Sequence, residues 1–226
     1  MTNAIFQTLE ICVAHFSKPW KLCRLMQKKY FIFDIGNVLV DFDFQILLEQ
    51  IAADSGTPVE LPTERDLEMH HAVEEGVISD QAFVDYLNQA KGLSWTVDDL
   101  IGVWQKMFTV NKTGRKLFLD SIARGLPVYT LSNIAEHHID AIERNWPGFF
   151  DGATGLFLSY QMGCRKPDPA IYFQVLEKLG AEGRQCLFID DREDNIEAAR
   201  AASIHAHQFI SSNHANVHDE VMKFFG

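Results

Sequence analysis

No run in this sequence is both long and apolar enough to span a bilayer. Basic charge is in the minority: 20 Lys and Arg stand against 31 Asp and Glu, for a formal net charge of −11. Phosphate-backbone binding needs clustered Lys and Arg, so the balance argues against a nucleic-acid partner. The four cysteines, Cys12, Cys23, Cys164 and Cys186, are scattered and none pairs as Cys-x-x-Cys. Neither a zinc site nor a disulfide framework is suggested, and a reducing cytoplasm is the expected setting. Internal repeats and low-complexity stretches are missing too. What remains is 226 residues of ordinary globular composition, enough for a core domain plus one sizeable insertion.

Residues 1–29 read as an N-terminal extension. Ile5, Phe6, Leu9, Val13 and Phe16 share one helical face, and a basic patch follows in Lys18, Lys21, Arg24, Lys28 and Lys29. The basic, apolar, small-residue order of a signal peptide is missing. Glu10 and the scarcity of Arg and Ser weaken a transit-peptide reading. Two readings stay open: a helix that packs on the core or on a partner, or a functional start at Met26.

The strongest signal is Tyr30-Phe31-Ile32-Phe33-Asp34-Ile35-Gly36-Asn37-Val38-Leu39-Val40. A short apolar, aromatic-rich run closing on a carboxylate predicts a buried strand of a parallel sheet, with Asp34 at its carboxyl end. The spacing next predicts helices over 45–53, 66–75, 79–90 and 96–108 with no strand among them; Ser79 is the expected cap of the third. From Thr113 the pattern alternates. Helices are expected over 116–124, 136–144, 168–179, 195–202 and 217–224, and strands over 127–131, 186–189 and 204–208, with loop and a short strand over 149–160. The alternation implies an α/β fold, a Rossmann-like parallel sheet with helices on both faces. The first two core strands lie roughly 90 residues apart, far more than a crossover needs. The excess is expected to be an inserted helical cap, residues 42–111, on a core made of 30–41 and 112–226.

Polar residues gather where these strands end. Asp34 ends the first, Ser132-Asn133 the second and Asp190-Asp191 a later one, while Lys166 lies in Gly163-Cys164-Arg165-Lys166-Pro167-Asp168-Pro169, a loop opening onto a helix that Asp168 caps. Three carboxylates in one place repel unless cations intervene. Lys166 and a divalent ion would balance them, and oxygen-only ligands favour Mg²⁺. Such a set suits phosphoryl transfer. Asp34 would attack phosphorus, Mg²⁺ and Lys166 would hold the phosphoryl oxygens, and Ser132 and the Asn133 backbone N–H would donate to them.

On the stretches Phe33-Asp34-Ile35-Gly36-Asn37-Val38-Leu39, Thr130-Leu131-Ser132-Asn133, Arg165-Lys166-Pro167-Asp168-Pro169-Ala170-Ile171-Tyr172 and Phe188-Ile189-Asp190-Asp191 with Asn195, the sequence resembles the haloacid dehalogenase superfamily of mostly Mg²⁺-dependent phosphatases. Within it, Asp34-Ile-Gly-Asn-Val, Asp41-Phe-Asp43-Phe and Gly163-x-Arg165-Lys166-Pro167 resemble bacterial α-D-glucose-1-phosphate phosphatases. The resemblance implies a capped hydrolase of a small phosphorylated metabolite, with the Gly36 backbone carbonyl joining Asp34, Asp190 and Asp191 around the metal. One position departs: the usual second Asp, two residues past the nucleophile, is Gly36. Leaving-group protonation would then fall to Asp43, His70 or His71, or the leaving group would need little help, as an anomeric hydroxyl does.

Other functions fit the sequence less well. A 2-haloacid dehalogenase also lacks the second Asp, but its relatives lack the acidic pair. A non-catalytic binding module would not need Asp34, Lys166 and Asp191 intact. A phosphomutase is disfavoured without the second Asp. His137 and His138 are expected on the surface at a helix start, His205, His207, His214 and His218 in solvent, and Trp95, Trp104 and Phe108 in the core of the cap. The oligomeric state and the exact substrate are not legible.

Overall fold

The computed structural model describes residues 28–210 and 214–226. The expected amphipathic face over 5–16, most of the basic patch and Met26 lie outside the described residues.

Strand β1 (Tyr30–Phe33) is the centre of a five-stranded parallel sheet. It is flanked by β4 (Val128–Ser132) and β6 (Cys186–Asp190), with β5 (Gly155–Leu158) and β7 (His205–Gln208) at the edges. All four residues of β1 are buried, which explains why its sequence is a continuous apolar run and does not alternate. The two-residue period of a strand still sorts its side chains into two cores. Phe31 and Phe33 face one way, toward Phe118 of α5 (Lys112–Ala123), Ile142 of α6 (Glu136–Asn145) and Val221 of α10 (His214–Phe225). Tyr30 and Ile32 face the other way, toward Tyr172 of α8 (Pro169–Leu179) and Ile196 of α9 (Glu193–Ala201). Each such burial contributes about 1.5–3 kcal/mol. The result is a sheet covered by helices on both faces, the α/β fold that the alternation implies.

The apolar run does not continue as strand beyond Phe33. The amides of Val38, Leu39 and Val40 all turn back on the Ile35 carbonyl, and Asn37 takes a φ of 52°, a left-handed value that Asn tolerates. The turn delivers the chain to β2 (Val40–Phe42), which pairs antiparallel with β3 (Phe108–Val110). This pair corrects the expectation of helices alone over this stretch. Phe108 falls in a strand and not in the expected helix, because three-residue strands are too short to impose a readable period on the sequence.

Between β2 and β3 lies a helical insertion: α1 (Phe44–Ser55), α2 (Glu64–Glu74), α3 (Asp80–Lys91) and α4 (Val97–Met107). Side chains of Asp43, Thr63, Ser79 and Thr96 cap their N-termini in turn, which fixes where each helix begins. Leu100, Val103, Trp104 and Met107 bury the inner face of α4. Among the described residues, no helix is long and apolar enough to cross a membrane.

Candidate active site

The register of the sheet builds the site. Phe33 stands opposite Thr130 of β4 and Ile189 of β6, so the next residues of all three strands emerge together at one edge. Asp34 leaves β1 with its amide on the Ile189 carbonyl at 2.9 Å. Ser132 ends β4 at 2 % exposure, and Asp190 ends β6 fully buried. Lys166 arrives from the loop between α7 (Ser159–Met162) and α8.

The Lys166 ammonium is the hub. Nζ donates to Asp190 Oδ2 at 2.5 Å and to the Leu131 carbonyl at 3.0 Å, and lies 2.9 Å from Asp34 Oδ1. Asp34 Oδ1 also accepts from the Ile35 amide at 2.7 Å. Asp190 is held on its other side by the Asn195 amide group at 3.0 and 3.1 Å and by the Arg192 backbone N–H at 2.9 Å. Asn133 does not use its side chain as a free donor, because its amide group clasps the backbone of Lys166.

Ligand oxygens of Asp34, Asp190 and Asp191 lie within 4.8 Å of one another. With all three ionised, one ammonium leaves the cluster short of positive charge. The consequence falls on Asp34: burial, together with Asp190 and Asp191, pushes its carboxyl up to about 7 against the pull of Lys166. Asp191 is raised as well, chiefly by burial. Lys166 is raised, because Asp190 and Asp34 outweigh the burial that would lower it. A hard divalent cation among these oxygens supplies what is missing, so the donor set fits Mg²⁺ in charge and chemistry.

Gly36 sits beside this cluster, and its neighbour explains more than its own identity does. A Cβ at position 36 would meet Cε1 of Phe42 at 3.1 Å. The Phe42 ring thus packs tightly against position 36, and a side chain there would have to displace it by a few tenths of an ångström. Of the three groups expected to protonate a leaving group, Asp43 is taken up as the cap of α1, accepting from Gln45 N at 2.9 Å. His70 Nε2 lies 3.3 Å from Glu74 Oε1. His71 is exposed. None of the three hydrogen-bonds to Asp34 or Lys166.

His137 and His138 overturn expectation. They are 0 % and 4 % exposed, not surface residues at a helix start. His137 Nδ1 lies 2.6 Å from Asp80 Oδ1 of α3, and the His138 ring lies 3.9 Å, centroid to centroid, from that of Trp104. The start of α6 faces the insertion instead of water, which a helical pattern read alone cannot reveal. Burial lowers both histidines, His138 well below its ordinary value with His137 and His70 adding to the effect. Trp95, Trp104 and Phe108 are core residues as expected, and Trp95 also donates from Nε1 to Asp54 at 2.8 Å.

Sequence reasoning passed over Asn37 and Glu74. Asn37 Nδ2 donates to Asp191 Oδ2 at 3.0 Å across 154 residues of chain. Its place in the Asp34-Ile-Gly-Asn run was the available signal. Glu74 closes a mostly polar helix with three other acidic residues, so nothing local marked it.

Residues 28–203 match the haloacid dehalogenase-like hydrolase family. The chain is 26 % identical to a D-ribitol-5-phosphate phosphatase of Bacteroides thetaiotaomicron over 76 % of its own length and 87 % of that protein's. It is 27 % identical to a phosphatase of Mycobacterium tuberculosis, over 78 % and 84 %. A Bacteroides thetaiotaomicron enzyme solved with magnesium and inorganic phosphate superposes with a TM-score of 0.71 at 22 % identity, covering 81 % of this chain and 95 % of that one. With the match spanning every strand of the sheet except β7, the chain belongs to the haloacid dehalogenase-like hydrolases.

Proposed function

We propose that the protein is a Mg²⁺-dependent phosphatase of a small phosphorylated metabolite, a sugar or sugar-alcohol phosphate, with hexose 1-phosphates the first class to test. The observation that carries this is the contact of one buried ammonium, Lys166, with both Asp34 and Asp190, beside a third carboxylate, Asp191. The relatives' phosphatase names and the magnesium and phosphate bound in a structural neighbour support it. Asp34, Asp190, Asp191 and the Gly36 carbonyl would hold Mg²⁺, which supplies positive charge to the phosphoryl oxygens and keeps Asp34 ionised.

The residues then divide the work. A carboxylate oxygen of Asp34 attacks phosphorus as the bond to the leaving oxygen breaks, giving an aspartyl-phosphate and an alcohol once the leaving oxygen takes a proton. Lys166 stabilises charge on the phosphoryl oxygens. The Ser132 hydroxyl and the Asn133 backbone N–H donate to the same oxygens. Water attacks the aspartyl-phosphate, releases inorganic phosphate and restores the Asp34 carboxylate. Residues 42–111 act as the cap domain over this centre and exclude solvent. With glycine at position 36 and no acid there, a leaving group of low basicity suits the site, which favours a sugar 1-phosphate.

Turnover of a panel of hexose 1-phosphates and pentitol 5-phosphates, with Mg²⁺ and with EDTA, tests the reading. Metal-dependent release of phosphate from members of the panel is expected. Full turnover in EDTA, or no turnover of any phosphate, would overturn it.

A further inference from the structure

Among the described residues the buried carboxylates are Asp34, Asp190 and Glu74, and the chemistry above uses only the aspartates. Glu74 is the last residue of α2, 7 % exposed. Burying a carboxylate is costly unless its oxygens are paired. Here they are. Oε2 accepts from Arg165 Nη2 at 2.9 Å, and Oε1 lies 3.3 Å from His70 Nε2. Burial alone would raise this carboxyl, yet His70 and Arg165 hold it below its ordinary value, so the pair is ionic.

The main chain of the same residue makes a second link. The Glu74 carbonyl accepts from the Ser159 hydroxyl at 2.5 Å, and that hydroxyl oxygen accepts from the Ile134 amide at 2.8 Å. Arg165 directly precedes Lys166, and Ile134 follows Ser132 by two positions. Two connections therefore run from one residue of the insertion to the two loops that present the phosphate-handling groups. Those loops are themselves joined through the Asn133 side chain. There is no slack behind Glu74 either: a Cβ on Gly76 would stand 2.1 Å from the Tyr160 carbonyl oxygen.

We propose that Glu74 and Arg165 are positioning residues for phosphoryl transfer: through this pair, the seating of the helical insertion on the sheet domain sets where Lys166 and the Ser132 loop stand. The proposal rests on the phosphatase reading. It separates two consequences of loosening the insertion. A pair that merely helped the insertion stay folded would affect the fit of the substrate's non-phosphate part and the exclusion of solvent, and would leave the affinity for inorganic phosphate unchanged. A pair that places Lys166 affects the phosphoryl group itself, whatever it is attached to.

The test uses Glu74→Gln, Arg165→Met and Arg165→Lys in the full chain. Steady-state kinetics with Mg²⁺ are measured on a sugar phosphate and on acetyl phosphate, and inorganic phosphate is titrated calorimetrically in the presence of Mg²⁺. Glu74→Gln and Arg165→Met should lower kcat about tenfold on both substrates and weaken phosphate binding several-fold, while Arg165→Lys recovers most of the loss. If either neutral variant fails to fold, the other carries the comparison. Phosphate affinity within twofold of wild type in the neutral variants would overturn the proposal, whatever happens to kcat or to KM for the sugar phosphate; so would a lysine variant no better than the methionine one. Should the wild-type protein hydrolyse no phosphate, the phosphatase reading falls and the phosphate titration alone decides the pair. A wild-type protein that binds no phosphate overturns both.

Discussion

Asn133 and Lys166 exchange two hydrogen bonds in opposite directions: Asn133 Nδ2 donates to the Lys166 carbonyl at 2.8 Å, and the Lys166 amide donates to Asn133 Oδ1 at 2.7 Å. A side-chain amide here imitates a strand partner and fixes the backbone from which the Lys166 ammonium projects. Asn133→Ala removes both bonds and strands a partly buried peptide group, at a cost of about 1–3 kcal/mol. We expect a lower melting temperature and a kcat reduced by roughly ten- to a hundredfold. A variant with wild-type kcat would show that the clasp does not place Lys166.

Asp34→Asn tests the nucleophile. An amide cannot form the acyl-phosphate, so kcat should fall by roughly three orders of magnitude or more. The fold should survive, since the amide oxygen can still accept from the Ile35 amide and the Lys166 ammonium that hold Asp34 now. Near-normal turnover of any phosphate by this variant would exclude the covalent route.

Metal removal should abolish activity. The Asp34–Asp190–Asp191 set has one ammonium for three carboxylates, and Asp34 is pushed up to about 7 when that is its only cation. Dialysis against EDTA is expected to remove turnover, with Mg²⁺ restoring it. Restoration should fail selectively in Asp191→Asn at Mg²⁺ concentrations that saturate the wild type.

Gly36→Asp asks whether the enzyme lacks an acid by default or by geometry. The new Cβ would meet the Phe42 ring at 3.1 Å, so the ring must yield. The single variant is expected to lose about 1 kcal/mol of stability and to gain little rate. Combined with Phe42→Leu, it should speed hydrolysis of a primary alkyl phosphate more than that of a sugar 1-phosphate, because the poorer leaving group benefits more from a proton. Equal effects on the two substrates would count against protonation as the limiting step.

Acid should destabilise the fold through the histidines between α6 and the insertion. Burial depresses His137 and, more strongly, His138. His138 faces His137, His70 and Trp104, and His137 faces Asp80, whose carboxylate offsets part of its shift. Below about pH 6.5 the unfolded chain takes up protons that the folded one refuses, so stability is lost as pH falls, by up to about 1.4 kcal/mol per unit for each proton. Urea midpoints between pH 7.5 and 5 should fall less steeply in His138→Gln than in wild type. Parallel profiles would contradict this.

Much of this arrangement could be read from the chain. The apolar run ending in Asp34, and the polar pairs closing 128–132 and 186–190, follow from strand chemistry that acts over a few residues. What escaped depends on contacts between distant segments. β2 and β3 exist only because Val40 and Val110 meet across 70 positions. His137 and His138 look like polar residues on a helix until Trp104 covers them. Glu74 looks like a solvent-facing acid until Arg165, 91 positions on, buries it. Local patterns fix an element's type, and only tertiary neighbours decide which of its faces stays wet.

The β2–β3 ribbon has a topological consequence. Because Phe42 stands directly opposite Phe108, the chain leaves the sheet domain and returns to it one strand spacing apart. A short hairpin turn would bridge that gap, so in connectivity the helical insertion is a detachable module. Energetically it is nothing of the kind. Val73, Phe83 and Leu100 of the insertion share one continuous apolar cluster with Phe31 and Phe33 of the central strand. Excision would be easy to splice and expensive to fold, and exchange for another insertion would succeed only where the replacement re-covers the same face of α6.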